Sequence, residues 1–255
     1  MYQREIEWSS TVAREAGELE LEYWNSGTVP EEKSDLSPVT IADREAEKLI
    51  ARRLAETFPD DGLVGEEGAE RPSRSGRKWI VDPIDGTRDF VRGNRFWSVL
   101  IGLEEEGEVV AGIVYFPALG DLFHAARGQG AFCNRRRIQV SSIEHPSKAV
   151  ICVNTFGNIS QHSFATALFG ELPKFWAVRS MGGCLDAVMV ARGQADLWIE
   201  SMGQAWDFAP LKILAEEAGG RFFNFDGGSS IYGGNCVVCT PALEAEGRRL
   251  VGLDT

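Results

Sequence analysis

The sequence predicts a layered protein of helices and sheets in two parts, an α+β half over residues 1–140 and an α/β half over residues 141–255. Three observations predict it. Two helical stretches lead the chain, the first of them amphipathic, and a run of strands rich in β-branched and aromatic residues with glycine-bearing turns follows them. Beyond residue 148, strand-like and helix-like segments alternate. At 255 residues the chain can bury a sizeable core as one large domain or two intimate halves.

Residues 3–25 set Ile6, Val12, Ala13, Ala16 and Leu19 among charged positions, the spacing of an amphipathic helix, and Asn25-Ser26-Gly27 ends it. Residues 26–38 are polar and hold two prolines, which predicts a loop. The next helix is predicted from about Pro38 to Thr57. Thr40-x-x-Asp43 resembles a capping box, with Asp in place of the usual Glu. Gly62–Gly65 reads as a short strand running into Glu66-Glu67, whose side chains then face opposite ways. Trp79-Ile80-Val81 reads as a buried strand that stops at Asp82-Pro83, because Pro83 removes a backbone donor. Asp85-Gly86 opens a turn, and Thr87 and Asp89 suit the first turn of a helix.

A largely antiparallel meander follows, with strands over 96–104, 108–116, 121–127 and 131–134. Residues 141–147 form the joint. The second half reads as strand 149–154, helix 159–169, strand 175–178, helix 183–191, strand 196–200 and helix 206–217. Strands 221–225 and 236–239 and helix 243–251 complete it.

Asp82 and Asp85 stand three residues apart at a strand end, beside the N–H groups of a helix start. That pattern can hold hard cations on one side and phosphate on the other. The plain alternative is a turn and a helix cap that bind nothing. Glu66 and Glu67 read equally as exposed loop acids, and Asp207 as the cap of its helix. Charge narrows the partners: a formal net charge of −12 argues against nucleic-acid binding through a basic surface. No apolar run reaches the roughly 18 residues of a membrane helix and no signal-peptide core leads the chain, so a cytoplasmic location is expected. The odd number of cysteines suits a reducing compartment. Cys236-x-x-Cys239 lies in a strand, where residues three apart face opposite ways, so a buried apolar role is expected over metal binding.

Trp79-Ile80-Val81-Asp82-Pro83-Ile84-Asp85-Gly86-Thr87, with Val39-Thr40-x-x-Asp43, Gly65-Glu66-Glu67 and Trp206-Asp207-x-Ala209, resembles the motif set of the inositol monophosphatase family of metal-dependent phosphatases. The resemblance runs from Lys33 through Asp207, with motif order and spacing in agreement. It implies a five-layer α-β-α-β-α sandwich with the active site where the halves meet. It also implies two Mg²⁺ ions, with a third, weakly held one near Glu66 common in the family. Glu66, Asp82 and the carbonyl of Ile84 would hold the first ion, and Asp82, Asp85 and Asp207 the second. Thr87 with Glu66 would orient and activate the attacking water, and Thr40 and Asp43 would support them. Gly86 and Thr87 N–H groups would bind phosphate. No His or Cys joins this set, which disfavours zinc.

The substrate implied is a small phosphate ester. Lys33–Thr40 and Val91-Arg92-Gly93 look like the histidinol-phosphatase branch, which favours histidinol phosphate. Inositol 1-phosphate is the alternative, followed by broad sugar-phosphate or nucleotide 3′-phosphate activity. Arg179 and the segment after it match the family's substrate-shaping stretch, but Gly182-Gly183 stands where histidinol phosphatases often carry Gly-Asp. Asp186 could supply that acid or be plain helix surface. Glu200, seven residues before Asp207, matches an acid that touches the alcohol portion, or is a polar strand end. Family members are commonly homodimers, so a homodimer is expected. A non-catalytic scaffold would be free to lose Glu66, Thr87 or Asp207, and this chain keeps all three.

Overall fold

The computed structural model describes residues 2–27, 29–32 and 38–253. The Lys33–Ser37 part of the branch-like stretch lies outside them. Helix α1 (Gln3–Ser26) leads, then a small hairpin of β1 (Glu31–Glu32) and β2 (Pro38–Val39), then α2 (Ile41–Thr57). Next come β3 (Gly62–Gly65), β4 (Glu70–Arg71), β5 (Arg77–Asp85) and the single-turn α3 (Thr87–Val91). The meander is β6 (Ser98–Glu105), β7 (Glu108–Phe116), β8 (Asp121–Ala126), β9 (Gly130–Cys133) and β10 (Arg136–Ile138). These form one sheet in the order β10-β9-β8-β7-β6-β5-β3-β4, antiparallel except at β3–β5.

The second part holds β11 (Val150–Val153), α4 (Phe156–Ile159), α5 (Ala165–Glu171), β12 (Ala177–Arg179) and α6 (Leu185–Ala191). It continues with β13 (Leu197–Glu200), α7 (Ala205–Glu217), β14 (Arg221–Phe223), β15 (Cys236–Cys239) and α8 (Glu244–Leu250). Its sheet runs β12-β11-β13-β15-β14, parallel around β11 and antiparallel around β15.

Period-two alternation sorts the strand residues between layers. Trp79, Val81, Val99 and Ile101 face one way and pack with Val12, Ala16, Ile50 and Leu54 of α1 and α2. Ile80, Leu100 and Val114 face the other way, toward Ala209 and Ile213 of α7 and Val188 of α6. The far side of those helices meets Trp198, Cys236 and Val238 of the second sheet. That sheet's outer face, with Ile151, Ile199, Val237 and Cys239, is covered by Leu168 and Leu250 of α5 and α8. The expected five-layer α-β-α-β-α sandwich is the observed one. Cys236 and Cys239 do point to opposite faces, each in a different core.

The middle helix layer sits unusually close to the first sheet. Gly102 and Gly112 are register partners on β6 and β7. A Cβ at Gly102 would lie 2.7 Å from Ala209 Cβ, and one at Gly112 would lie 2.8 Å from Pro210 Cα. The two glycines therefore admit the backbone of α7, which carries Asp207 at its start.

Several expected boundaries move. β5 does not stop at Pro83 but reaches Asp85 through a register shift between Asp82 and Asp85, and a bulge tolerates the missing N–H. The helix expected over 159–169 is two short ones, between which His162 and Phe164 turn to pack on Phe225. β4 and β10 are short strands at the two sheet edges and carry no alternation that a pattern could reveal. Among the described residues, no helix is long and apolar enough to cross a membrane.

Candidate active site

The bulge in β5 shapes the site. Asp82 still pairs in the ladder with Leu100, and the shift that follows brings Asp85 opposite Ser98. Gly86 then starts α3 at φ 86°, a left-handed conformation suited to glycine, with Phe96 O only 3.1 Å from where a Cβ would stand. Asp207 reaches the same place from the first turn of α7, where its Oδ2 accepts the Gln204 N–H at 2.5 Å. Asp82, Asp85 and Asp207 offer carboxylate oxygens all within 4.8 Å of one another.

Three carboxylates this close cannot all ionise without a counter-charge. Burial, then repulsion from Glu66, Asp85 and Asp207, raises the Asp82 carboxyl well above its ordinary range. Burial and Asp85 do the same to Asp207. Asp85 is also raised by burial, against the opposing hydrogen bond from Cys184 N–H. Asp82 is 2% exposed and its Oδ1 has no hydrogen-bond partner among the described residues. A buried, unpartnered carboxylate oxygen inside an all-oxygen acid cluster fits a hard divalent cation.

Glu66 follows β3 and lies beside Asp82, and its carboxyl adds to the repulsion there. Its turn is held by Glu47, a residue the sequence reading missed. The Glu47 carboxylate accepts the N–H groups of Glu67 at 2.9 Å and Ala69 at 2.7 Å. A Cβ at Gly65 would stand 2.1 Å from Glu47 Oε2, so glycine there lets this buried acid reach the turn.

A second chain of contacts runs behind Thr87. The Asp43 Oδ2 accepts the Thr40 N–H at 2.8 Å and the Thr40 hydroxyl at 2.6 Å, the capping box expected. Its other oxygen, Oδ1, lies 3.4 Å from the Thr87 hydroxyl, which also donates to Ile84 O at 3.1 Å. Burial pushes the Asp43 carboxyl up to about 6.

Glu66, Asp82, Ile84, Asp85, Gly86, Thr87, Glu200 and Asp207 line one cavity of about 720 Å³. Thr40 and Asp43 sit behind its wall. Glu200 ends β13, 8% exposed, with burial raising its carboxyl to about 7. Two expected substrate residues are not in the cavity lining. Asp186 is fully buried, and its Oδ2 accepts the N–H groups of Met181 at 2.9 Å and Gly182 at 3.1 Å. It shapes the loop from below because the first turn of α6 points it inward. Arg179 lies exposed at the end of the edge strand β12, and donates to Val178 O.

The cavity also takes Arg88, Asp89, Asn154, Thr155 and Ser180, which the sequence reading did not assign to the site. Of these, Asp89 was expected only as an acid in the first turn of the helix that follows Gly86.

The chain matches the inositol monophosphatase family over residues 1–251. It is 38% identical over 248 residues to a histidinol-phosphatase of Chlorobaculum parvum, covering 97% of this chain and 95% of that protein. It is 37% identical over 205 residues to an inositol-1-monophosphatase of Rhizobium meliloti, covering 79% and 77%. Among solved structures, the extragenic suppressor protein SuhB of Bartonella henselae superposes with a TM-score of 0.91 at 30% identity, covering 99% of this chain and all of that one.

Proposed function

Because the chain belongs to the inositol monophosphatase family, a family of phosphoric monoester hydrolases that generally use Mg²⁺, we propose that it hydrolyses histidinol phosphate. The observation that carries this choice is the surplus of acid in the cavity. Glu200 and Asp89 line it in addition to the acids of the metal cluster, and among the described residues Arg88 is the one basic residue beside them. Such a lining favours an alcohol portion that bears positive charge. Inositol 1-phosphate is the second reading, favoured by the bare Gly182-Gly183 wall, which leaves room for a polyol ring.

In this reading Glu66, Asp82, the Ile84 carbonyl, Asp85 and Asp207 would hold two Mg²⁺ ions, and Glu66 would adjoin a third if one binds. When bound, the ions neutralise phosphate oxygens and make water more acidic. Thr87, with Glu66, orients the attacking water, and its hydroxyl hands a proton toward Asp43, whose carboxyl near 6 can accept it. Thr40 fixes which Asp43 oxygen faces Thr87. Gly86 and Thr87 N–H groups bind the phosphate. The water oxygen forms the new P–O bond as the ester P–O bond breaks, and the leaving alkoxide takes a proton from solvent. Glu200 meets the alcohol portion. Residues 1–140 and 141–255 act as halves of one catalytic unit, with ligands drawn from both. A cytoplasmic homodimer belongs to the same reading, supported by the family resemblance.

Phosphate release by the purified protein with Mg²⁺ tests it, comparing histidinol phosphate, inositol 1-phosphate, fructose 1,6-bisphosphate and adenosine 3′,5′-bisphosphate. The expected result is a kcat/KM highest for histidinol phosphate. A higher value for inositol 1-phosphate replaces the first reading with the second.

A further inference from the structure

We propose that Asp89 is the specificity-determining acid of this cavity, its free carboxylate oxygen receiving an ammonium group on the alcohol portion of the ester. The inference deepens the reading above and rests on the same site.

The wall formed by Gly182 and Gly183 carries no side chain, and the geometry says why. Gly183 adopts φ +53°, and a Cβ on it would lie 2.7 Å from Asp85 Oδ2. A side chain there would press on a cluster carboxylate, so an acid cannot be supplied from that position without displacing Asp85. Gly182 adopts φ +92°, and the nearest atom to its Cβ position is Asp89 Oδ2, at 4.0 Å. The two glycines thus face two carboxylates in turn. Asp85 belongs to the trio within 4.8 Å, and Asp89 stands outside it. The negative charge on this wall comes from α3 instead of the loop.

Asp89 is fixed and only half used. Its Oδ1 accepts the Asn94 side-chain N–H at 2.6 Å, and the Asn94 backbone N–H donates to Asp89 O at 2.9 Å. No hydrogen bond is recorded at Oδ2 among the described residues, and no Lys, Arg or His forms an ion pair with it there. The carboxylate lines the cavity and is partly desolvated. A rigid, unpaired carboxylate in a partly dry wall attracts a cation more strongly than one in open water. Discrimination by such a group is asymmetric: an ammonium gains a charge-assisted hydrogen bond, whereas a neutral hydroxyl gains an ordinary one.

The test uses Asp89→Asn in the Mg²⁺-loaded enzyme. Asparagine keeps the oxygen that accepts from Asn94 and removes only the charge. Two ester pairs are compared: histidinol phosphate with inositol 1-phosphate, and 3-amino-2-hydroxypropyl phosphate with glycerol 1-phosphate, which differ by one ammonium for one hydroxyl. In the wild-type enzyme the amine-bearing member of the second pair is expected to have the higher kcat/KM. In Asp89→Asn this preference falls about tenfold or more, mostly through KM, and Asp89→Glu restores part of it. A ratio that does not move overturns the proposal. So does an equal loss on all esters with a raised Mg²⁺ requirement, which would make Asp89 a metal-site residue. If histidinol phosphate is rejected while the amine preference and its loss in Asp89→Asn hold, the substrate reading fails and the role of Asp89 stands.

Discussion

The Cys184 backbone N–H donates to Asp85 Oδ2 at 2.7 Å, joining residues 99 positions apart. Asp85 comes from the first sheet, and Cys184 precedes α6 in the middle layer. The bond therefore fixes the Gly182-Gly183 loop to the acid cluster, and it favours the ionised form of Asp85 against burial and its acidic neighbours.

Asp85→Asn is expected to leave the fold intact and to lower kcat/KM by about a hundredfold or more, because an amide is a poorer Mg²⁺ ligand than a carboxylate. Circular dichroism checks the fold and phosphate release checks the activity. Retained activity would remove Asp85 from the metal site.

Gly183→Asp restores the acid that the histidinol-phosphatase resemblance leads one to expect, yet it should impair this enzyme. The substitution adds a Cβ 2.7 Å from Asp85 Oδ2 at a φ of +53°. Backbone strain alone costs about 1–2 kcal/mol, and a further carboxylate beside Asp85 raises the repulsion. A lower melting temperature and a higher Mg²⁺ concentration for half-maximal activity are the expected readouts. A Gly183→Asp enzyme with improved turnover of histidinol phosphate would contradict this geometry.

Gly112→Ala tests whether the close seating of α7 sets the position of Asp207. The new methyl would meet Pro210 Cα at 2.8 Å and Ile213 Cγ2 at 2.7 Å, and the backbone contact has no cheap escape. Destabilisation of about 1–3 kcal/mol is expected, measured by denaturant unfolding. Mg²⁺ affinity should fall with it, since Asp207 lies one turn from the contact.

The metal-free protein should lose stability as pH rises. Asp43 and Glu200 titrate near 6 and 7 in the folded chain, against about 4 when unfolded. Between those values the folded state holds more protons than the unfolded one, so stability falls with increasing pH. The penalty is absent below about pH 4, and is complete once pH exceeds 6 for Asp43 and 7 for Glu200. Melting of chelator-treated protein from pH 5 to 8 is expected to show a declining midpoint. Added Mg²⁺ should stabilise more at pH 8 than at pH 5, because the cluster acids are then ionised without protons competing for them. A midpoint that rises over this range would refute the raised carboxyls.

Local chemistry made much of this protein legible before its structure. Thr40 and Asp43 three apart form the capping box they suggest, because a cap depends only on neighbours along the chain. Short apolar runs rich in β-branched and aromatic residues marked β5, β6 and β15 as strands, because such side chains fit an extended backbone buried on both faces. The Asp-Pro-Ile-Asp-Gly-Thr run marked one edge of the site for the same reason: its turn and helix start are encoded within nine residues.

What the chain could not declare by itself is which distant groups meet. The sequence offers Glu200 as an acid touching the alcohol portion and Asp186 as a stand-in for the acid missing at Gly182-Gly183, yet the direction of α6 buries Asp186 beneath the loop while the end of β13 puts Glu200 into the cavity. Asp89 lines the same cavity as Gly182, nearly a hundred positions away, and Glu47 reaches across Gly65 to hold the turn that carries Glu66. The sequence by itself determined the strands and helices, the caps and the acids available, since each depends on residues a few positions apart. The tertiary structure decided which acids share a cavity and which face away. Those outcomes turn on contacts between distant residues, such as the 2.7 Å hydrogen bond from Cys184 N–H to Asp85 across 99 positions, and such contacts are set by how the layers seat on one another.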